Sequence, residues 1–208
     1  MKQPSNETIV ATLQNYGLTA SARLCDQIRT YIDLLLHWNK KTSLTTVTDT
    51  EEILRFHFGE SLVAVPAIPI RHGRLADVGS GSGFPSVPIR MASEDVKVIL
   101  IESNQKKAAF LAEVARELQL KNVDVRRSRM EDVHLVDEKA DFVTARAVRI
   151  DDEFLDWSRK ALNSTGSVAL WLGEEDANRI SNKSSWKWEN PIRIPRSDRR
   201  VILKGSKI

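Results

Sequence analysis

Leu75-Ala76-Asp77-Val78-Gly79-Ser80-Gly81-Ser82-Gly83-Phe84-Pro85 joins a short apolar run to three alternating glycines and then to a proline that suits the first turn of a helix. Glycine reaches positive φ without a Cβ penalty, so such a chain turns sharply. The bare backbone then aims its N–H groups, and the N-terminus of the helix that follows, into a cleft where a ligand comes close.

Outward from this turn, the 208-residue chain is 41% apolar and 28% charged, enough for one α/β core with a modest N-terminal helical extension. The run from Val63 to Ile70 is broken by Pro66 and Pro69 and falls short of the ~20 residues of a membrane span. The polar start, Met1-Lys2-Gln3-Pro4-Ser5-Asn6-Glu7, lacks the apolar segment of a secretory leader, and the expectation is a soluble cytoplasmic protein. Cys25 is the single cysteine, and with scattered His37, His57, His72 and His134 it gives no metal-ligand spacing; no metal is expected. The net charge of +3 is uneven. From Lys183 onward Lys187, Arg193, Arg196, Arg199, Arg200, Lys204 and Lys207 face only Glu189 and Asp198, a balance that suits a phosphate-rich partner.

Periodicity predicts helices over Ser5 to Tyr16, Ala20 to Trp38 and, capped by Asp49 or Thr50, onward to Val65. Short apolar strands are expected at Arg74 to Val78, Val96 to Ile101, Val123 to Arg127, Asp141 to Ala145 and Gly166 to Leu172. They alternate with helices at Pro85 to Met91, Gln105 to Leu118 and Asp151 to Leu162. That alternation specifies a parallel sheet covered on both faces, with ligands beyond the carboxyl ends of the strands. Trp186 to Ile194 and Arg199 to Lys204 read as an antiparallel hairpin at the sheet edge.

Glu102 ends the second strand about twenty residues past the glycines, where a carboxylate accepts both hydroxyls of a ribose. Dinucleotide enzymes and S-adenosylmethionine-dependent methyltransferases share that geometry. The glycine register separates them: a dinucleotide G-x-G-x-x-G would need glycine at Phe84, or glycine or alanine at Ser86. Asp77 would oppose a pyrophosphate and suits a cationic amino acid or sulfonium group. Asp77, Gly79, Gly81, Gly83 and Glu102 are therefore the candidate cofactor residues.

The stretch from Asp77 to Pro85 with Ile89, then Glu102-Ser103, Lys106-Lys107 and Phe110-Leu111, resembles the RsmG (GidB) family. Trp38-Asn39-Lys40, Leu44-Thr45, His57, Glu60-Ser61-Leu62, Asn122-Val123, Arg129-Met130-Glu131-Asp132 and Thr144-Ala145-Arg146-Ala147 extend the likeness, in the family's order. The resemblance implies a class I S-adenosylmethionine-dependent methyltransferase. Its fold is Rossmann-like α/β, with a mostly parallel seven-stranded sheet and a C-terminal antiparallel hairpin. It implies a helical cap over residues 1–66 and a methyltransferase domain over 67–208. The implied activity is methyl transfer to N7 of a guanine in 16S ribosomal RNA, in the RNA or the small subunit; a monomer is the separate expectation. The cofactor residues it implies are Gly79, Phe84, Met130, Glu131 and Arg146. Ser86 replaces a usual glycine, Thr144 a usual serine and Glu102 the commoner aspartate.

N7 carries a lone pair and no proton, so attack on a sulfonium methyl needs alignment rather than a general base. No catalytic histidine is nominated. Arg146, beside the cleft mouth, is the candidate for positioning the substrate, with the methionine carboxylate, an RNA phosphate and guanine O6 as its open alternatives. Asn39, Lys40, His57, Arg126, Arg127, Arg199 and Arg200 are the candidate RNA contacts, each with a plain structural alternative. A non-catalytic ribosome-binding assembly factor is the rival function, and a nicotinamide-dependent oxidoreductase a more distant one.

Overall fold

Ser5 and Ser21 each turn a hydroxyl onto the backbone N–H three residues on, and these caps start the first two helices of the computed structural model. The model describes residues 3–68 and 70–208; Met1, Lys2 and Pro69 lie outside the described residues. Helix α1 spans Asn6–Gln14 and α2 spans Ala22–Asn39. The buried stripe Leu24, Ile28, Tyr31, Ile32 and Leu35 keeps α2 on the core.

The third expected helix is a composite. Asp49 caps the short α3, Thr50–Glu52, and a π-helix over Ile53–Gly59 follows. Helices α4, Glu60–Leu62, and α5, Ala64–Ala67, complete it. The N–H of Glu60 reaches back five residues to the carbonyl of Arg55, the wider register that marks the π segment. Nothing in the apolar spacing signals that extra residue, so the sequence reads as one α-helix.

Strands β1 (His72–Val78), β2 (Asp95–Ile101), β3 (Val123–Arg126), β4 (Ala140–Arg146) and β5 (Leu162–Gly173) run parallel in the order 3-2-1-4-5. The crossovers between them carry α6 (Ser86–Ala92), α7 (Gln105–Glu117) and α8 (Asp152–Ala161). Pro85 stands at the N-cap of α6 rather than inside its first turn. After β5 comes a helix that the sequence reading lacked, α9 (Glu174–Ser181), with three acids in its first turn where the helix dipole favours them.

The C-terminal hairpin forms with one interruption. Its first arm divides into β6 (Trp186–Trp188) and β7 (Ile192–Arg193), and both pair antiparallel with β8 (Arg200–Lys207). Pro191, which has no N–H to donate, lies in the break. Strand β8 pairs antiparallel with β5 on its other side, giving eight strands among the described residues, seven of them on one continuous path.

The helical N-terminal region shares its core with the sheet. Tyr31, Phe58 and Phe110 are fully buried together, and Tyr31 meets Phe58 edge to face at 5.4 Å. Such pairs add about 0.5–1.5 kcal/mol beyond the area they bury. Tyr31 also donates a 2.6 Å hydrogen bond to the carbonyl of Ser82, so α2 rests directly on the glycine turn. A Cβ on Gly83 would collide with the Tyr31 hydroxyl, and its φ of +85° is left-handed. The third glycine is therefore required by the packing of α2. Gly83→Ala is expected to cost about 3 kcal/mol, from ~1–2 for the left-handed residue and ~1–3 for overpacking, read as a lowered urea midpoint at unchanged m-value.

Candidate cofactor cleft

The glycine turn leaves β1 at the carboxyl edge of the sheet. Gly79 (φ +67°) and Gly81 (φ +55°) both need left-handed backbone, but their surroundings differ. A side chain on Gly79 would strike Val148, whereas one on Gly81 would meet nothing nearer than the Gly79 carbonyl at 3.7 Å. Gly81 faces open space.

That space is a cavity of about 560 Å3. Gly79 to Ser82 and Phe84 form one wall, and Arg146, Ala147 and Trp171 to Gly173 another. His57, Glu60, Arg199 and Arg200 close over it. Strand β4 delivers Arg146, the π-helix His57 and β8 Arg200, so residues far apart in sequence converge at one sheet edge. Among the candidates Gly79, Gly81, Phe84, Arg146, His57, Arg199 and Arg200 all line the cavity.

Phe84 enters it in a constrained way. Tyr31 stacks on one face at 5.2 Å and His57 on the other at 4.8 Å, while Phe58 meets its edge. With both faces covered, Phe84 offers the cavity its rim and backbone instead of a stacking surface.

Glu60 is 2% exposed, and one of its carboxylate oxygens accepts from Arg146 at 3.0 Å and from Arg200 at 2.7 Å. Arg146 also donates to the Phe56 carbonyl at 2.8 Å, and the Trp171 indole donates to the Glu60 backbone at 2.7 Å. One negative charge against two positive ones leaves the roof of the cleft cationic. Lys107 and Arg199 also line the cavity, and neither has an ion-pair partner among the described residues. Arg146 keeps a buried Nη1 without a partner. The sequence reading did not name Glu60 as a site residue, although Glu60-Ser61-Leu62 is among the stretches that carry the family resemblance.

His57 stays neutral: burial, then the Arg146 charge, push its pKa down to about 4. The Thr45 hydroxyl lies 2.8 Å from its Nε2 and accepts the Val47 N–H at 3.0 Å. A neutral ring in that setting adds no charge to the cleft.

Other candidates lie outside the cavity. Asp77 was expected to face a cationic ligand, but it sits beneath the glycine turn at 1% exposure. Thr144 donates to it at 2.6 Å, so the 2.8 Å contact between Ser86 and Thr144 has Ser86 as donor. Two of the three departures from the family pattern are thus partners, joined in one buried chain to Asp77. Burial pushes Asp77 up to about 6. Glu102 stands beside the turn, with one oxygen accepting the Gly81 N–H at 2.9 Å and the other the Asn104 N–H at 2.7 Å. Each oxygen retains a lone pair for a further donor. Met130 and Glu131 form a 3-10 turn after β3 and do not line this cavity.

The RNA candidates divide in the same way. Asn39 has a structural part: its amide holds the following loop by accepting from Leu44 and Thr45 and donating to the Thr45 carbonyl. Arg126 is paired with Asp124 and Glu138 at the sheet edge, which leaves its charge neutralised in place. Lys40 and Arg127 have no ion-pair partner among the described residues, but both lie away from the cavity. No group of three potential metal ligands occurs among the described residues, and no helix there is long and apolar enough to cross a membrane.

Comparison with known proteins gives consistent matches. A family model described as GidB, rRNA small subunit methyltransferase G, matches residues 24–190. A relative named ribosomal RNA small subunit methyltransferase G from Lachnoclostridium phytofermentans is 37% identical over 147 residues, 69% of this chain and 61% of that protein. One of the same name from Nitrosomonas europaea is 38% identical over 139 residues, 67% of this chain and 64% of that protein. The matched stretch thus spans under two thirds of either relative. A solved S-adenosylmethionine-dependent methyltransferase from Aquifex aeolicus superposes with a TM-score of 0.66 at 16% identity, covering 80% of this chain and 97% of that one. The fold is that of the class I methyltransferases.

Asp77 sets a pH dependence of stability. Its folded pKa lies above the unfolded value of 3.8, so ionisation begins to penalise the fold above about pH 4 and the penalty is complete above about pH 6. Asp77→Asn is expected to raise stability by about 1–3 kcal/mol at pH 7 to 8, a gain that closes by pH 4 in urea titrations.

Proposed function

The chain belongs to the GidB family, rRNA small subunit methyltransferase G, and we propose that it transfers a methyl group from S-adenosylmethionine to N7 of a guanine in 16S ribosomal RNA. The observation that carries this reading is the pairing of an open left-handed turn at Gly81 with a cationic roof made by Arg146 and Arg200. The residues fit the cofactor: the cavity is of ligand size, Gly81 admits close backbone approach, and Glu102 offers free lone pairs beside it.

When bound, S-adenosylmethionine supplies an electrophilic sulfonium methyl. Gly79, Gly81 and the rim of Phe84 would hold it, and Glu102 would accept from its ribose hydroxyls. Gly83 shapes this turn from behind through Tyr31, and Asp77 braces it from below. Met130 and Glu131, in the turn after β3, would lie toward the adenine, beyond the cavity walls described above. Arg146 orients the acceptor base at the cleft mouth, which its fixed bonds to Glu60 and Phe56 suit it to do. Guanine N7 has no proton to remove, and the neutral His57 matches a site that needs no base. Catalysis by alignment supplies up to ~7–11 kcal/mol where reacting groups are well oriented.

Arg199 and Arg200 at the rim, with Lys40 and Arg127 beyond it, neutralise RNA phosphates. The enzyme works in the cytoplasm as a monomer. Val136 and Ile208 are the large apolar side chains left exposed among the described residues, and they form no patch of interface size.

The test is transfer of labelled methyl to small ribosomal subunits, or to 16S rRNA, from cells lacking the chain, followed by mapping of 7-methylguanosine. Incorporation at one guanine is expected; saturable cofactor binding without incorporation would leave an assembly factor in its place. Gly81→Val, which puts a β-branched residue at positive φ and a side chain into the cavity, is expected to weaken S-adenosylmethionine binding at least 100-fold by calorimetry while the far-ultraviolet circular dichroism is retained. Arg146→Ala is expected to keep cofactor affinity within about 3-fold and to lower kcat/KM at least 100-fold, in the range seen when a positioning group is removed.

A further inference from the structure

A second recess lies between the end of α2 and the first turns of α7. It encloses about 430 Å3 and is lined by His37, Trp38, Lys41, Thr42, Lys106 and Glu113. Lys41 and Lys106 are exposed, and neither has an ion-pair partner among the described residues. That sets them apart from Lys183 and Lys204, whose charges are met by Asp152 and Glu189. Trp38 is half-buried, one side of its indole meeting Phe110 at 5.8 Å while the rest lines the recess.

The recess adjoins the cofactor cleft. Lys106 lines one and Lys107, the next residue, lines the other, so the two spaces open on either side of the first turn of α7. Charge is graded along the recess. Lys106 and Glu113 are seven residues apart on one helix, about 10 Å along its axis, with the lysine at the cleft end. Lys106 thus puts positive charge at the cleft end of the recess and Glu113 negative charge further from it.

We propose that this recess holds a nucleotide of the substrate RNA flanking the one that is methylated, its base against Trp38 and its phosphate between Lys41 and Lys106. The inference rests on the RNA methyltransferase reading and adds to it a path for the strand. An unpaired cation pair beside an aromatic face is the combination that tracks a single strand without reading its sequence. His37 stands at the same wall as a further donor to phosphate. The strand then enters over the seam between α2 and α7, not over the β3 edge where Arg126 is already neutralised.

The double variant Lys41→Ala, Lys106→Ala tests it, with protein-free 16S rRNA and small subunits from cells lacking the chain as probes. Equilibrium RNA binding is expected to weaken about 10-fold. The slope of log affinity against log salt is expected to fall by about 0.7, the loss of one single-strand phosphate contact. In the transfer assay KM for RNA rises while kcat and S-adenosylmethionine affinity stay within about 2-fold. Trp38→Leu is expected to weaken RNA binding about 10-fold without changing the salt slope, and Glu113→Gln to strengthen it. An unchanged slope and KM in the double variant overturns the proposal. So does a loss seen on assembled subunits and absent on protein-free rRNA, which would assign the recess to a ribosomal protein. Binding requires no turnover, so failure of methyl transfer by the wild type would remove the activity without deciding this site.

Discussion

The contact between Tyr31 and the glycine turn governs how the rest of the molecule is arranged. A tyrosine on the second helix donates to the Ser82 carbonyl and rests where only a residue without a Cβ can pass. Its ring covers one face of Phe84, whose other face is covered by His57 from the π-helix. Three segments, one from the helical N-terminal region, one from the turn and one from the composite helix, are locked through a single stack. Burial holds the Tyr31 hydroxyl protonated far beyond neutral pH, so the donor that fixes the turn is permanent.

A second constraint acts across the cleft. Glu60 has almost no exposure to water and accepts from arginines that come from β4 and β8. Removing either arginine leaves the carboxylate less well compensated, which is costly in a buried place. The C-terminal edge of the sheet is thus tied to the cleft by charge as well as by the β5–β8 ladder. The excess positive charge at the roof follows from the same geometry, since one carboxylate serves two guanidinium groups.

Much of this was legible in the chain itself. Alternating apolar runs and helical stretches specify the parallel sheet, and strand limits match within a residue or two at β1, β2 and β3. The glycine register and its distance from Glu102 place the cleft. Less legible were features set by long-range packing. The π-helix has no mark in the spacing from Ile53 to Gly59, and the Tyr16 ring that Gly59 lies against, where a Cβ would collide, is distant in sequence. Asp77 and Gly83 belong to the motif yet turn away from the cavity, since what they touch, Thr144 and Tyr31, lies 67 and 52 positions away. Asn39 and Arg126 look like free polar groups in sequence and are occupied by neighbours in space.

The buried chain from Ser86 through Thr144 to Asp77 carries a consequence for how the family can drift. Ser86 is fully enclosed and its hydroxyl has Thr144 as partner, while the proton of Thr144 is committed to the carboxylate. Glycine in place of Ser86 empties a side-chain volume under the turn, whereas serine in place of Thr144 keeps the hydroxyl that Asp77 and Ser86 both use. The dependence is one-sided: loss of the hydroxyl at 144 would orphan both the serine and the acid, whereas loss of the serine leaves the bond from Thr144 to Asp77 in place.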